Sequence, residues 1–395
     1  MKHKTVEFSP LHGLASLGAG GLSISFFIWL MFLTPHPDSP VPTYESLLLA
    51  KSLGSAGWIT LVTTLVAVMS VAHYGLLIWW LMQGRQTPDA SRAAQHEGQS
   101  HIFKMILPLV LAMSVNVSFV LGVVFVPHLW KSKEILFPFA LFAFLLLFLI
   151  ATKRWLDQRA SLTMPGISYK GKGLIELLAT FAFAMITVGF SASAAMSHSV
   201  WIYTSGMALS FLGLGMSIWT AIRVLIDRVP VLKVHPIAAT STGSLLMGVP
   251  ILTVLGIATY RVMVGNTHHF GITIGQDVIA GVLATIFISQ ILIFMLATPT
   301  FIRTGGWLTL MAREPQGASF SLICPGVGFF VLGMFVVAKG LTPLGWLSDS
   351  WVIVVYCFLG SIQLVTLAMF AYLIIHAMPG KHKRRKLTRM NHADD

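Results

Sequence analysis

The sequence predicts an all-α integral membrane protein of ten transmembrane helices, with the odd-numbered helices forming an inner ring of five around a path. Three observations predict it. Of 395 residues, 55 % are hydrophobic and 10 % are charged, whereas soluble domains carry about a quarter charged residues. Ten apolar runs recur along the chain, each able to cross ~30 Å of hydrocarbon at ~1.5 Å per residue. The odd-numbered runs are rich in glycine, proline and hydroxyl residues, and the even-numbered ones are bulkier.

The first span, Leu11 to Thr34, follows Met1-Lys2-His3-Lys4 and carries Gly18, Gly20, Gly21, Ser16, Ser23 and Ser25. It is long and has no small-residue cleavage site, so it reads as a span rather than a signal peptide. The second is Gly54 to Met82, with His73 deep inside it. The third, Ile102 to Trp130, holds Pro108, Ser114, Asn116 and Ser118; the fourth, Ile135 to Thr152, is bulky and apolar with Pro138 near its start. The fifth, Leu174 to Met196, carries Thr187, Gly189, Ser191 and Ser193, and the sixth is Trp201 to Ile226. The seventh, Ile237 to Val262, holds Thr240, Ser241, Thr242, Ser244, Gly248 and Pro250; the eighth is Val278 to Ile302. The ninth, Ser319 to Ala338, contains Cys324 and Pro325, and the tenth runs from Trp351 to Met378. Small and hydroxyl residues also let transmembrane helices pack closely; their alternation by span number is what points to an inner ring, with a lipid-facing ring outside it.

Connections are short, the largest being His36 to Leu53 and Gln83 to His101, both read as loops. One transmembrane domain over 1–380 and a basic tail over 381–395 are expected. Basic residues fix the orientation. One side holds Lys2, Lys4, Arg85, Arg92, Lys104, Lys153, Arg154, Arg159, Lys170, Lys172, Arg223, Arg228, Lys233, Arg303, Arg313 and the tail; the other holds only Lys51, Lys131, Lys133, Arg261 and Lys339. That bias, roughly four to one, puts both termini in the cytoplasm by the positive-inside rule. The formal net charge of +12 is thus topogenic, and nucleic-acid binding is not expected.

Chemistry-bearing groups are few. Cys324 and Cys357 both lie in apolar runs, so neither a disulfide framework nor a metal spacing is present. No carboxylate falls at mid-depth: Glu176, Asp277 and Asp349 lie near span ends. A proton-coupled pump normally needs such groups, so their absence favours a channel, or a carrier holding an anion on backbone N–H groups and hydroxyls at broken helices. His73 has two readings, a hydrogen bond to a neighbouring helix or haem ligation; His128, His198 and His376 lie near the membrane faces and supply no second ligand at its depth. His268 and His269 read as an outer turn, with a metal site as the alternative. Phosphate loops, zinc spacings and nucleophile elbows are missing from the sequence. The ninth span is the focus. A proline a few turns inside an apolar helix frees a carbonyl about one turn back, around Ser321, while Gly326 and Gly328 leave the wall after it bare.

Ten spans with both ends inside, odd spans carrying Pro or Gly, and the ninth span's proline resemble the tellurite-resistance/dicarboxylate transporter family, which includes the plant guard-cell slow anion channels. The likeness covers nearly the whole chain as segment pattern, and at residue level the ninth span and LASLGAGGLSISFF in the first. It implies five helical hairpins in a ring, an hourglass pore through each protomer and a homotrimer; a bacterial inner-membrane location with both termini cytoplasmic is the expected placement. SPLHGLASLGAGGLSISFF and SLICPGVGFF more closely resemble the TsoY family of membrane (seleno)proteins, in which selenocysteine or cysteine precedes that proline. In the anion channels a phenylalanine before the proline occludes the pore; here that position is Cys324, so Phe320, Phe329 or Phe330 would have to replace it as a gate.

The expected function is a membrane channel or transporter for small anions, sulfur, selenium or tellurium oxyanions or small carboxylates, rather than an enzyme. Its expected path is lined by Gly20, Ser23, Asn116, Ser193, Thr240, Thr242, Cys324 and Pro325. The alternative is a membrane redox protein in which Cys324 is the reactive, catalytic thiol, with haem at His73. The expected partners are the lipid bilayer, a small anion and further copies of the chain; no metal is expected, nor any cofactor beyond that haem.

Overall fold

The computed structural model describes residues 8–86, 104–162, 173–313 and 315–379. Ten helical spans among the described residues are long and apolar enough to cross a membrane, and their α-helical parts are α1 (Gly13–Leu33), α2 (Ala56–Gln86), α3 (Ile106–Phe125), α4 (Lys133–Leu162), α5 (Leu177–Met196), α6 (Val200–Val234), α7 (Gly248–Phe270), α8 (Gln276–Arg303), α9 (Ile323–Phe335), extended by 3₁₀ and π turns to a span of Gly317–Leu344, and α10 (Asp349–His376). The tail over 381–395, and Lys2, Lys4, Arg92, Lys170 and Lys172, lie outside the described residues.

The odd helices begin in a shared way. Pro108, Pro250 and Pro325 are each the third residue of their helix, α3, α7 and α9. The first turn of a helix has no internal acceptor for its N–H groups, so proline is tolerated there without breaking a bond. This corrects the reading of Pro325 as an internal kink. The irregularity lies just before it, where a 3₁₀ segment, Gly317–Leu322, feeds into α9. A longer 3₁₀ segment, Ala239–Met247, feeds α7, and Pro10–His12 feeds α1.

Burial divides the helices by parity. In the most apolar stretch of each span, buried residues make up 72, 50, 94, 56 and 72 % for the first, third, fifth, seventh and ninth spans. The even spans give 28, 33, 28, 22 and 17 % in order. Around the inside, α1 packs on α3, α3 on α5, α5 on α7, α7 on α9 and α9 back on α1, while each even helix pairs with the odd helix before it. Five hairpins therefore close into a ring. Glycine permits the close approaches: a Cβ on Gly21 would stand 3.3 Å from Val327 across α1 and α9, and one on Gly328 3.2 Å from the Pro250 backbone across α9 and α7.

The ring also closes at the chain's two ends. The Ser9 N–H donates to His12 Nδ1 at 3.0 Å, which leaves Nε2 to donate to the Ala377 carbonyl at 3.0 Å. The outer surfaces of the even helices carry Leu61, Val71, Phe139, Phe211, Leu296 and Phe358, all exposed apolar side chains suited to lipid. Exposed Trp201, Trp346 and Trp351 stand at the end of the bundle opposite the termini, the place of an aromatic belt.

One connection differs from expectation. Within His36 to Leu53, read as a loop, a short helix Tyr44–Ala50 forms, capped by the Thr43 hydroxyl. It buries Leu47 and exposes Leu48 and Leu49, and a π-type turn, Lys51–Ser55, with Gly54 at φ 101° joins it to α2.

Candidate functional site

All five odd helices contribute to one central cavity of about 400 Å³. Along α1 its wall runs from Leu17 to Met31, and along α5 from Phe181 to Met196, about 20 Å of helix axis in each case. The residues nearest the termini on the five helices, Leu17, Met113, Phe181, Pro250 and Cys324, form its floor. Below them, Leu14, Leu109, Leu178, Met247 and Ile323 are buried and seal that end with hydrocarbon. At the far end Val41, Leu129 and Met196 line it.

The wall is overwhelmingly apolar, and among the described residues that line it Arg261 alone carries a charge. Helical side chains lean toward their own N-terminus, so Arg261 reaches from α7 down toward the floor. There its Nη1 donates to the Val188 carbonyl at 2.9 Å, in the middle of α5. Among the described residues no carboxylate pairs with it. Buried charges are normally paired, because an unpaired one bears the full cost of leaving water. The sequence reading placed Arg261 outside the membrane, at the end of a span closing at Val262. The helix instead continues to Phe270, where Gly271 (φ 63°) terminates it in the left-handed conformation. The signal was the apolar run Val262-Met263-Val264 beyond the arginine.

Of the predicted path residues, Asn116, Ser193 and Cys324 line the cavity. Gly20 does not. A Cβ there would meet Met113 and the His73 ring, so it faces α2 and α3, while its neighbours Gly18 and Gly21 line the wall. Ser23 is buried between α1 and α2, bonded to Ser70 Oγ at 2.8 Å and donating to the Val66 carbonyl. Thr240 and Thr242 belong to the 3₁₀ segment below the floor, where the Thr242 hydroxyl donates to the Ala239 carbonyl at 2.7 Å. Pro325 is buried off the wall. Thr253, unforeseen, lines the cavity; its hydroxyl donates to the Val249 carbonyl and accepts from Gln290 Nε2 at 2.6 Å.

The three expected gates face elsewhere. Phe320 packs on Phe370, Phe329 on Phe287 and Phe294, and Phe330 on Trp29. Aromatic bulk at the cavity comes instead from Phe27, Phe119, Phe181 and Phe335 of the inner helices and from Phe137 and Phe144 of α4. Phe144 enters because Gly189 offers no side chain: a Cβ there would lie 2.2 Å from the ring.

His73 ties three helices together. Nδ1 donates to the Ser16 carbonyl at 2.8 Å, and Nε2 stands 2.9 Å from the Ser114 hydroxyl. Both ring nitrogens are thus engaged by protein oxygens. His269, read as part of an outer turn, sits in the last turn of α7, donating Nε2 to the Ser197 carbonyl and stacking on Tyr203 at 4.0 Å. Among the described residues no three His, Cys, Asp or Glu side chains gather to hold a metal. Cys357 is exposed on α10.

No protein-family model, curated protein or solved structure matches the chain.

Proposed function

We propose that this protein conducts or carries small anions across a membrane through the cavity inside its inner ring. One observation carries the reading: Arg261, unpaired by any described carboxylate, faces a cavity bounded by all five inner helices. An anion entering that cavity would supply the missing countercharge, and charge-assisted bonds to a guanidinium are strong. Taking both termini as cytoplasmic, the cavity lies on the outer side of its apolar floor, and that floor is the barrier toward the cytoplasm. Passage then requires Leu17, Met113, Phe181, Pro250 and Cys324 to part. One such path per protomer in a homotrimer is the assembly this reading carries.

Reconstitution into liposomes tests it. Chloride, nitrate, sulfate and acetate are each offered, and flux is followed with an anion-sensitive dye. Flux of at least one anion should exceed that of protein-free vesicles. Arg261→Gln should lower it tenfold or more, equivalent to about 1.4 kcal/mol, and Cys324→Phe should lower it by adding bulk at the floor. Flux no greater than in protein-free vesicles for all four anions would remove the proposal.

A further inference from the structure

Resting on the reading of the cavity as an anion site, we infer its ligand class: an amphipathic organic monoanion, with its carboxylate at Arg261 and its hydrocarbon portion toward the floor. The argument starts from the donors. Asn116 Nδ2 already donates to the Ala112 carbonyl at 3.0 Å, and the Thr253 hydroxyl to the Val249 carbonyl at 3.1 Å. The second Asn116 N–H points at the Met185 sulfur at 3.7 Å, which leaves the Ser193 hydroxyl as the neutral donor on the wall; the charged donor capacity lies on the guanidinium, which gives one Nη1 bond to Val188 and presents a fork whose geometry matches a carboxylate. A single positive charge balances a single negative one. An inorganic dianion would lose its hydration here and regain few bonds, at high cost.

The rest of the cavity is hydrocarbon. Ile24, Val254, Ile257, Val327 and Val331 line it, and from Val188, which the guanidinium touches, to Phe181 at the floor α5 descends about 10 Å. That depth gives a chain of several methylenes an apolar wall. The cavity volume of about 400 Å³ lies within the range of small-molecule pockets and far exceeds the ~30 Å³ of a water. A small inorganic anion would leave most of it unfilled, whereas an alkyl chain would fill it.

A homologous series tests the inference. Acetate, butyrate, hexanoate and octanoate are titrated calorimetrically into the purified full-length protein, with 1-octanol as the uncharged comparison. Affinity should rise about fourfold per methylene, the value for burying one in an apolar site. Arg261→Gln should weaken octanoate tenfold or more and leave 1-octanol unchanged. Val254→Trp, which fills the wall and keeps the charge, should weaken octanoate far more than acetate and stands in should Arg261→Gln fail to fold. Affinity independent of chain length, or octanoate binding equally to Arg261→Gln and wild type, would overturn the inference. Inorganic-anion flux with no chain-length dependence would leave the transport reading standing and this one refuted. Chain-length-dependent, Arg261-dependent binding with no flux of any anion would do the reverse.

Discussion

Two arginines, Arg228 buried and Arg261 half-buried on the cavity wall, meet opposite circumstances in this molecule, and the difference separates structure from function. Arg228, on α6, is paired with Glu176 at the start of α5, both buried, and beside it Arg159 reaches Asp227 at 2.6 Å. Removing one partner of such a pair strands a charge. Arg228→Met should lower stability by about 3–5 kcal/mol, and Arg228→Met combined with Glu176→Leu should recover most of it; thermal unfolding in detergent measures both. Arg261 has no such internal partner among the described residues, which is why its role is read as ligand binding. At this scale the sequence was informative unevenly. Cys324 lies on the wall although the sequence signals beside it hold only in part: Pro325 makes no internal kink, and of the two glycines after it Gly328 lines the cavity while Gly326 faces Thr366 of α10. Gly20 and Gly18 could not be told apart: each helical residue turns by about 100°, so two glycines two positions apart face nearly opposite sides, and choosing the wrong one means choosing a different neighbour, here His73 and Met113.

Among the elements, α5 matters most to the packing: 94 % of the residues in its apolar stretch are buried, and its glycine and alanine positions set how near its neighbours come. Gly189 is the sharpest case. Its replacement by Ala should cost about 1–3 kcal/mol through overpacking against Phe144, with Phe144→Leu restoring part of the loss; a shift in thermal midpoint is the readout. Span existence was legible from hydropathy alone, since all ten predicted runs correspond to helices. Span ends were less so. The sequence pattern closes the seventh span at Val262 and makes His269 part of an outer turn, yet Tyr203 Oη donates to Asn266 Oδ1 at 2.7 Å and His269 donates to the Ser197 carbonyl within the continuing helix. Partners on neighbouring chain segments, which no local pattern reveals, let the helix run on and carried Arg261 inside.

At the scale of the whole molecule, the inner and outer rings were written in the alternation of small with bulky spans. Small residues let inner helices approach on several sides at once, and bulky ones fill a single lipid-facing side. What alternation does not encode is the cavity's extent. The apolar floor arises from Leu17, Met113, Phe181, Pro250 and Cys324, which share a level only after the five helices have set their heights.

The contact between His12 and Ala377 has a consequence for how the chain may be strung. Hairpins that meet head to tail have no privileged first member. A circular permutant, with residue 379 spliced to residue 8 by a short flexible linker and new ends cut between Val234 and Ala239, keeps an even number of crossings and both ends on their original side. It should elute as a single species and titrate with octanoate as the parent does, whereas failure to fold would show that the order in which hairpins enter the bilayer governs the outcome.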